Sequence, residues 1–127
     1  VNSCGMAIHF MDLCESLFIE RAKNKNYNKE INNVSVGCLR TLRKDLEEKR
    51  QSFYRAIENL NECLYENSIA AEILSEVSKL SRELAATSRR LVDELYPYCG
   101  LIAANKHSEI NRVWRDLHTA SQHSLLI

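Results

Sequence analysis

Residues that could do chemistry are concentrated in one short stretch near the end of the 127-residue chain. Positions 111–123 hold two arginines, an aspartate, a tryptophan and two histidines. Arg112 and Asp116 are four residues apart, a spacing that puts both on one helix face and allows an ion pair. His118 and His123 are separated by about 140° around a helix, so they do not form a two-histidine zinc face. On physical grounds alone this pattern favours a charged, partly buried helix that fixes packing geometry.

Signatures of several other chemistries are missing from the sequence. It has no Glu-x-x-His pair, which a carboxylate-bridged di-iron bundle requires on two helices. The glycine motifs of phosphate-binding loops and of nucleophile elbows are absent as well. Glu58, Glu62 and Glu66 share one face, where like charges repel mildly, and we interpret them as a solvated surface. We therefore predict no metal site, and we expect His9 to be an ordinary, partly buried histidine.

The chemistry-bearing stretch belongs to the last of four predicted helices. Apolar residues recur every three or four positions along most of the chain, the pattern of amphipathic helices. Residues 24–30 are polar and aperiodic and are predicted to form a loop, and residues 101–107 are predicted to be a connector. The predicted helices run from Cys4 to Lys23, from just after Asn33 to about Glu66, from Asn67 or Ser68 to about Tyr98, and from the capping residue Ser108 to Leu125.

Composition and patterning together define the fold class. Three glycines and one proline supply too few turns for a sandwich or a barrel. The two long central helices would each be about 45–50 Å long and form a hairpin. Pro97 is expected to weaken the last turn of the third helix, with Gly100 just beyond its end. We predict an all-α, up-and-down four-helix bundle that forms a single domain over residues 1–127.

Charge and cysteine content restrict the partners and the compartment. Seventeen basic and seventeen acidic residues cancel, which argues against a nucleic-acid partner. No apolar stretch approaches the roughly 20 residues of a membrane span. The chain begins with Val1 rather than methionine, so we expect a processed product or a piece of a longer protein. The five cysteines contain no Cys-x-x-Cys pair, and we expect reduced, buried thiols in a cytoplasmic protein; they are Cys4, Cys14, Cys38, Cys63 and Cys99.

Residues 112–123, Arg-Val-Trp-Arg-Asp-Leu-His-Thr-Ala-Ser-Gln-His, are very similar to the closing motif of the acyl-CoA dehydrogenase superfamily. The resemblance is closest to its branch of flavin-dependent, two-component monooxygenases. It extends over the whole chain at low specificity and over residues 88–123 at good specificity. It implies the C-terminal domain of a larger flavoprotein whose N-terminal helical and β-barrel domains are not in this chain. It also implies FMN or FAD in the parent, a dimer or tetramer formed through helical faces, and a flavin reductase as a partner.

Two departures from the dehydrogenase pattern favour the monooxygenase branch. Where dehydrogenases carry a Gln-x-x-Gly-Gly-x-Gly segment that meets the adenosine end of FAD, residues 97–103 retain only Gly100. Where many dehydrogenases then place their catalytic base, this chain has Ser124, which cannot abstract an α-proton. In the monooxygenase branch a histidine at the position of His123 lies near the reactive edge of the flavin, as a hydrogen-bond donor. The resemblance further assigns cofactor contacts to Gly100 and Arg115, and structural roles to Arg112, Trp114 and Asp116.

By itself the domain is expected to be catalytically inactive and to act as an oligomerisation and site-closing module. The alternative is a stand-alone helical protein–protein interaction module without a cofactor. The two are distinguished by whether the reading frame continues upstream through a β-rich segment.

Overall fold

The computed structural model describes residues 2–63 and 70–125, apart from the side chains of residues 70 and 123–125. Helices account for 91% of the described residues, and none of these residues lies in a strand, so the all-α prediction is confirmed. The elements are α1 (Asn2–Lys23), α2 (Lys29–Cys63), α3 (Ala70–Leu95), a 3₁₀ turn (Tyr96–Cys99), α4 (Leu101–Ala104) and α5 (Glu109–Leu125). The predicted junction at Asn67 or Ser68 lies outside the described residues.

The predicted count of four helices misses a short element. The stretch 101–107, predicted as a connector, contains the single turn α4. The backbone N–H of Ala103 donates to the carbonyl of Gly100 at 3.2 Å, and that of Asn105 donates to Ile102 at 3.3 Å. The described part of the chain therefore has four long helices and one short one.

The start of α2 also differs from the prediction. The helix begins at Lys29 rather than after Asn33, because Asn28 caps it. The side-chain oxygen of Asn28 accepts hydrogen bonds from the backbone N–H groups of Glu30, at 2.9 Å, and Ile31, at 3.2 Å. Asn32 falls in the first turns of α2, where it is buried and donates to the carbonyl of Phe18 on α1 at 3.1 Å. The end of the polar run 24–30, which is typical of a loop, therefore forms a helix cap and the first residues of α2.

Helix α1 lies at the centre of the bundle, with contacts to α2, α3 and α5. Its apolar residues follow the predicted spacing of three and four. The helix pair α1 and α2 is antiparallel, since Arg43 reaches Asp12 while Asn32 reaches Phe18. The side chains of α1 that are at most 1% exposed are Ala7, Phe10, Met11, Cys14 and Phe18.

The end of α3 behaves as its proline and glycine predict. The α-helix stops at Leu95, and the 3₁₀ turn that follows contains Pro97. Gly100 then adopts a φ of +69°, which residues with a Cβ rarely adopt. The guanidinium of Arg21 lies against this turn and donates to the carbonyls of Tyr98, at 2.5 Å, and Cys99, at 2.8 Å. It thereby satisfies backbone acceptors that a helix end leaves free.

Within the described ranges, no helix is both long enough and apolar enough to cross a bilayer.

Candidate functional site

The first turn of α5 is anchored to α4. The hydroxyl oxygen of Ser108 accepts a hydrogen bond from the backbone N–H of Asn111 at 3.2 Å, which confirms the predicted cap. The same hydroxyl lies 2.6 Å from the carbonyl oxygen of Ile102, to which it donates. The buried amide of Asn111 donates to the carbonyl of Ala103 at 2.7 Å. The short helix α4, which the sequence did not predict, therefore anchors the start of α5.

The middle of α5 is joined to α3 through the carboxylate of Asp93. The indole N–H of Trp114 donates to Oδ1 of Asp93 at 3.2 Å, and Nε2 of His118 lies 2.8 Å from the same oxygen. Nδ1 of His118 is 2.8 Å from the carbonyl oxygen of Trp114. A neutral imidazole has one N–H and can donate to only one of these two acceptors, whereas the imidazolium can donate to both.

Aromatic rings pack beside this carboxylate. The ring of Trp114 contacts Tyr96, with centroids 4.8 Å apart and planes tilted by 31°, and His118, with centroids 4.3 Å apart and planes tilted by 41°. The hydroxyl of Tyr96 donates to the carbonyl of Ala103 at 3.3 Å. We call Asp93, Tyr96, Trp114 and His118 the Asp93 cluster. Because its members bond to one another and to nearby backbone, the arrangement fixes the position of α5 rather than offering a reactive group.

The spacing of Arg112 and Asp116 allows an ion pair, but the structure does not form it. Arg112 instead lies 3.4 Å from Glu109, on the preceding turn. Glu109 also lies 3.1 Å from Nε2 of His9 on α1, so its carboxylate is the meeting point of two basic side chains. Asp116 is exposed and lines, with Arg112, a cleft of about 290 Å³ between α1 and α5. His9 is exposed, with 48% of its side chain accessible, rather than partly buried as predicted, and its ring pairs with Glu109.

The two residues predicted to contact a flavin differ in how well they suit that task. Nε of Arg115 donates to the side-chain oxygen of Asn111 at 2.9 Å, and one Nη donates to the carbonyl of Lys106 at 3.2 Å. The other Nη has no partner among the described residues, and the side chain is exposed, so it fits an anionic group such as a phosphate. Gly100 fits less well, because a Cβ there would meet Nη2 of Arg21 at 3.2 Å. Arg21 therefore fills the space that the missing side chain leaves.

The side chain of His123, the predicted catalytic residue, lies outside the described residues. Its backbone belongs to α5. Among the described residues, no three His, Cys, Asp or Glu side chains are grouped so that they could hold a metal ion.

Sequence reasoning missed two members of the Asp93 cluster. Tyr96 was assigned no role, and Asp93 is one of several charged residues of α3 with no distinguishing neighbour in the sequence. A signal existed for His118, because it lies four residues after Trp114 and therefore on the same face of α5. The register between α3 and α5, which brings Asp93 to that face, depends on tertiary packing and has no local signal.

The protein is thus an all-helical bundle. Hydrogen bonds hold its last helix at the start and in the middle, and this helix presents Arg115 to solvent. The family model described as acyl-CoA dehydrogenase, C-terminal domain, matches residues 4–126. The chain belongs to this family. Searches among curated proteins and among solved structures found no match.

The Asp93 cluster leads to a stability prediction. Asp93→Asn removes the charge that strengthens the hydrogen bonds from Trp114 and His118, and it should lower the free energy of unfolding by about 1 kcal/mol. Asp116→Asn is the matched control, since Asp116 is exposed on α5 and has no partner among the described residues, and it should cost less than about 0.5 kcal/mol. Urea unfolding measures both. Equal effects of the two variants would contradict the anchoring role of Asp93.

Proposed function

We propose that the chain is the C-terminal bundle of a flavin-dependent monooxygenase of the acyl-CoA dehydrogenase family. In the parent protein it drives oligomer formation and closes one side of the flavin site. The family match over residues 4–126 carries this proposal. The residue Ser124, in the place of the dehydrogenase base, supports the monooxygenase branch over acyl-CoA dehydrogenation.

The proposed cofactor is FMN or FAD, which supplies the oxygen chemistry when it is bound. Arg115 would hold a phosphate of this group through the nitrogen that has no partner among the described residues. His123 would donate a hydrogen bond at the reactive edge. The rest of the bundle would position α5, which the Asp93 cluster and Ser108 hold at two points along its length.

The parent would carry an N-terminal helical domain and a β-barrel domain before this bundle. A two-component enzyme of this kind takes reduced flavin from a separate flavin reductase, which is the proposed partner of the parent. We also propose a cytoplasmic location, because all five cysteines are free thiols and such thiols are typical of a reducing compartment.

The function is tested by comparing the 127-residue chain with the complete product of its reading frame. The complete protein should bind flavin, visible in its absorption spectrum, and should oxidise reduced flavin in the presence of oxygen. The 127-residue chain should show no flavin turnover, because a bundle without its barrel offers only one wall of the pocket. A complete protein that has no β-rich segment, or that binds no flavin, would contradict the proposal.

A separate prediction concerns assembly, for which exposed apolar residues on α1 and α2 provide the surface. Ile31 and Val34, one turn apart on α2, are 53% and 60% exposed, and Ile19 on α1 is 51% exposed. Ile19 borders a cleft of about 430 Å³ between the two helices. Contiguous exposed apolar patches of several hundred Å² mark interfaces, and we propose that these three residues form part of such a patch. Light scattering at tens of micromolar should therefore give a dimer or tetramer.

A charge placed in this patch tests which surface is used. Val34→Glu should shift the protein towards monomer, because a carboxylate would be buried without a partner. Leu74→Glu is the control, since Leu74 is 59% exposed but lies on α3. A wild-type mass of 14.6 kDa, or equal dissociation by both variants, would contradict the use of this patch.

A further inference from the structure

Two of the five cysteines meet in the core, far apart in sequence. The Sγ atoms of Cys14, on α1, and Cys99, in the 3₁₀ turn after α3, are 3.3 Å apart, although 85 residues separate them. Both side chains are 0% exposed. This distance is that of a thiol–thiol hydrogen bond, and it is shorter than the contact of two unbonded sulfur atoms. Cys4, Cys38 and Cys63 have no cysteine neighbour of this kind among the described residues.

The surroundings make the two thiols unequal. The hydrogen bond between the two thiols lowers the pKa of Cys99, burial raises it, and the positive charge of Arg21 lowers it. The same hydrogen bond, together with burial, raises the pKa of Cys14. Arg21 donates to the carbonyl of Cys99 at 2.8 Å, so its positive charge lies beside Cys99. We therefore assign the thiolate, the nucleophilic form, to Cys99 and the responding thiol to Cys14.

We propose that Cys14 and Cys99 form an oxidation site, at which hydrogen peroxide converts the two free thiols into a disulfide that links α1 to the end of α3. Neither the family match nor the proposed flavin site assigns a role to these residues. The site is reversible, because a dithiol reductant returns both cysteines to the state seen in the structure.

The chemistry balances with one molecule of peroxide. The Cys99 thiolate attacks a peroxide oxygen, so that an S–O bond forms and the O–O bond breaks, and the released hydroxide takes up the thiol proton as water. The sulfur of Cys14 then attacks the Cys99 sulfenic acid. An S–S bond forms, the S–O bond breaks, and the oxygen leaves as a second water with the proton of Cys14. Two thiols have lost two electrons, and peroxide has been reduced to two waters.

Access to the buried pair is provided by the element that carries Cys99. The turn Tyr96–Cys99 has four residues and is followed by Gly100 and the four-residue helix α4, which exposes Leu101. Short elements of this type open locally at a lower free-energy cost than the long core helices. We therefore expect local opening of this turn, rather than unfolding of the bundle, to admit a small oxidant to Cys99.

The disulfide should raise the melting temperature. The crosslink would close a loop of more than 80 residues and so lower the conformational entropy of the unfolded chain. For a domain of this size, this should raise the midpoint of thermal unfolding by roughly 10 °C. It would also tie the turn beside Gly100 to α1, the helix that already holds this turn through Arg21.

The test treats the reduced, desalted protein with a small molar excess of hydrogen peroxide and then alkylates the remaining thiols. Intact mass should show a loss of two hydrogens and alkylation at three cysteines, and peptide mapping should find the Cys14–Cys99 crosslink. Thermal unfolding should show the rise in midpoint, and dithiothreitol should reverse it. Cys38→Ser, which removes a half-buried thiol outside the pair, should keep the crosslink and the rise in midpoint, with alkylation at the two cysteines that remain.

Two variants separate the roles of the pair. Cys99→Ser should abolish both the crosslink and the rise in midpoint. Cys14→Ser should leave a sulfenic acid on Cys99 that dimedone labels, because the thiol that would resolve it is gone. The peptide map of the wild type decides the matter even where a variant fails to fold. Five alkylated cysteines after peroxide treatment, or a crosslink between any other two cysteines, would overturn the proposal.

Discussion

Replacing Phe10 with alanine is expected to lower the free energy of unfolding by about 3–5 kcal/mol, a large part of the stability of a small domain. Phe10 is 0% exposed and lies in the middle of α1, the helix that contacts α2, α3 and α5. A cavity there is lined by several helices, which can relax only partly to fill it. Urea unfolding followed by circular dichroism measures the change.

Leu74→Ala provides the control for this prediction. Leu74 is 59% exposed and lies outside the proposed assembly surface, so its truncation removes little buried surface and should cost less than about 1 kcal/mol. Both variants should keep the helical spectrum of the wild type in the absence of urea. A cost for Phe10→Ala no larger than that for Leu74→Ala would show that α1 is not the central helix of the bundle.

Much of the fold could be predicted from sequence because each long helix carries its own periodic signal. The spacing of Ala7, Phe10, Cys14 and Leu17 predicts one buried face of α1. The first three are fully buried, whereas Leu17 is only partly buried. The predicted helix boundaries are wrong where the same polar residues are typical of both a loop and a helix cap. Asn28 begins a helix in the structure, but an asparagine-rich run is equally typical of a loop. The turn α4 was missed because four residues are too few to show a period.

The candidate site could be predicted only along α5 itself. Trp114 and Arg115 were selected because they lie in one recognisable stretch, whereas Asp93 and Tyr96 reach Trp114 from another helix. The sequence could not decide between Asp116 and Glu109 as the partner of Arg112, since a helix offers partners both four residues after and three residues before. The contact between His9 and Glu109, which joins α1 to α5, has no signal in the local sequence.

The cysteine pair illustrates the same limit. Apolar neighbours predict that Cys14 and Cys99 are buried, and they are. Nothing in the spacing of five cysteines indicates which two face each other. The pairing follows from the proline and glycine that turn the chain after α3 and from Arg21, which holds that turn against α1.

The position of α5 leads to a prediction for the catalytic role that we propose for His123 in the parent flavoprotein. His118 is held by Asp93 and by the carbonyl of Trp114. His123 is five residues further along and therefore about 140° away around the helix. The two histidines should then have separate tasks, with His118 fixing α5 to α3 and His123 donating a hydrogen bond within the flavin site.

In the complete protein, His123→Ala should reduce the rate of product formation by about 10²–10³, the effect of removing one positioned donor from a preorganised site. Oxygen consumption should continue, with the oxygen released as hydrogen peroxide, because flavin oxidation no longer leads to substrate oxygenation. His118→Ala should retain the ratio of product to oxygen consumed and lower the free energy of unfolding by about 1 kcal/mol, since it loses the contact with Asp93. Parallel assays of product, oxygen and peroxide, with light scattering to verify assembly, distinguish the two variants. An unchanged ratio of product to oxygen in His123→Ala would exclude His123 from the chemistry and leave α5 with a positioning role alone.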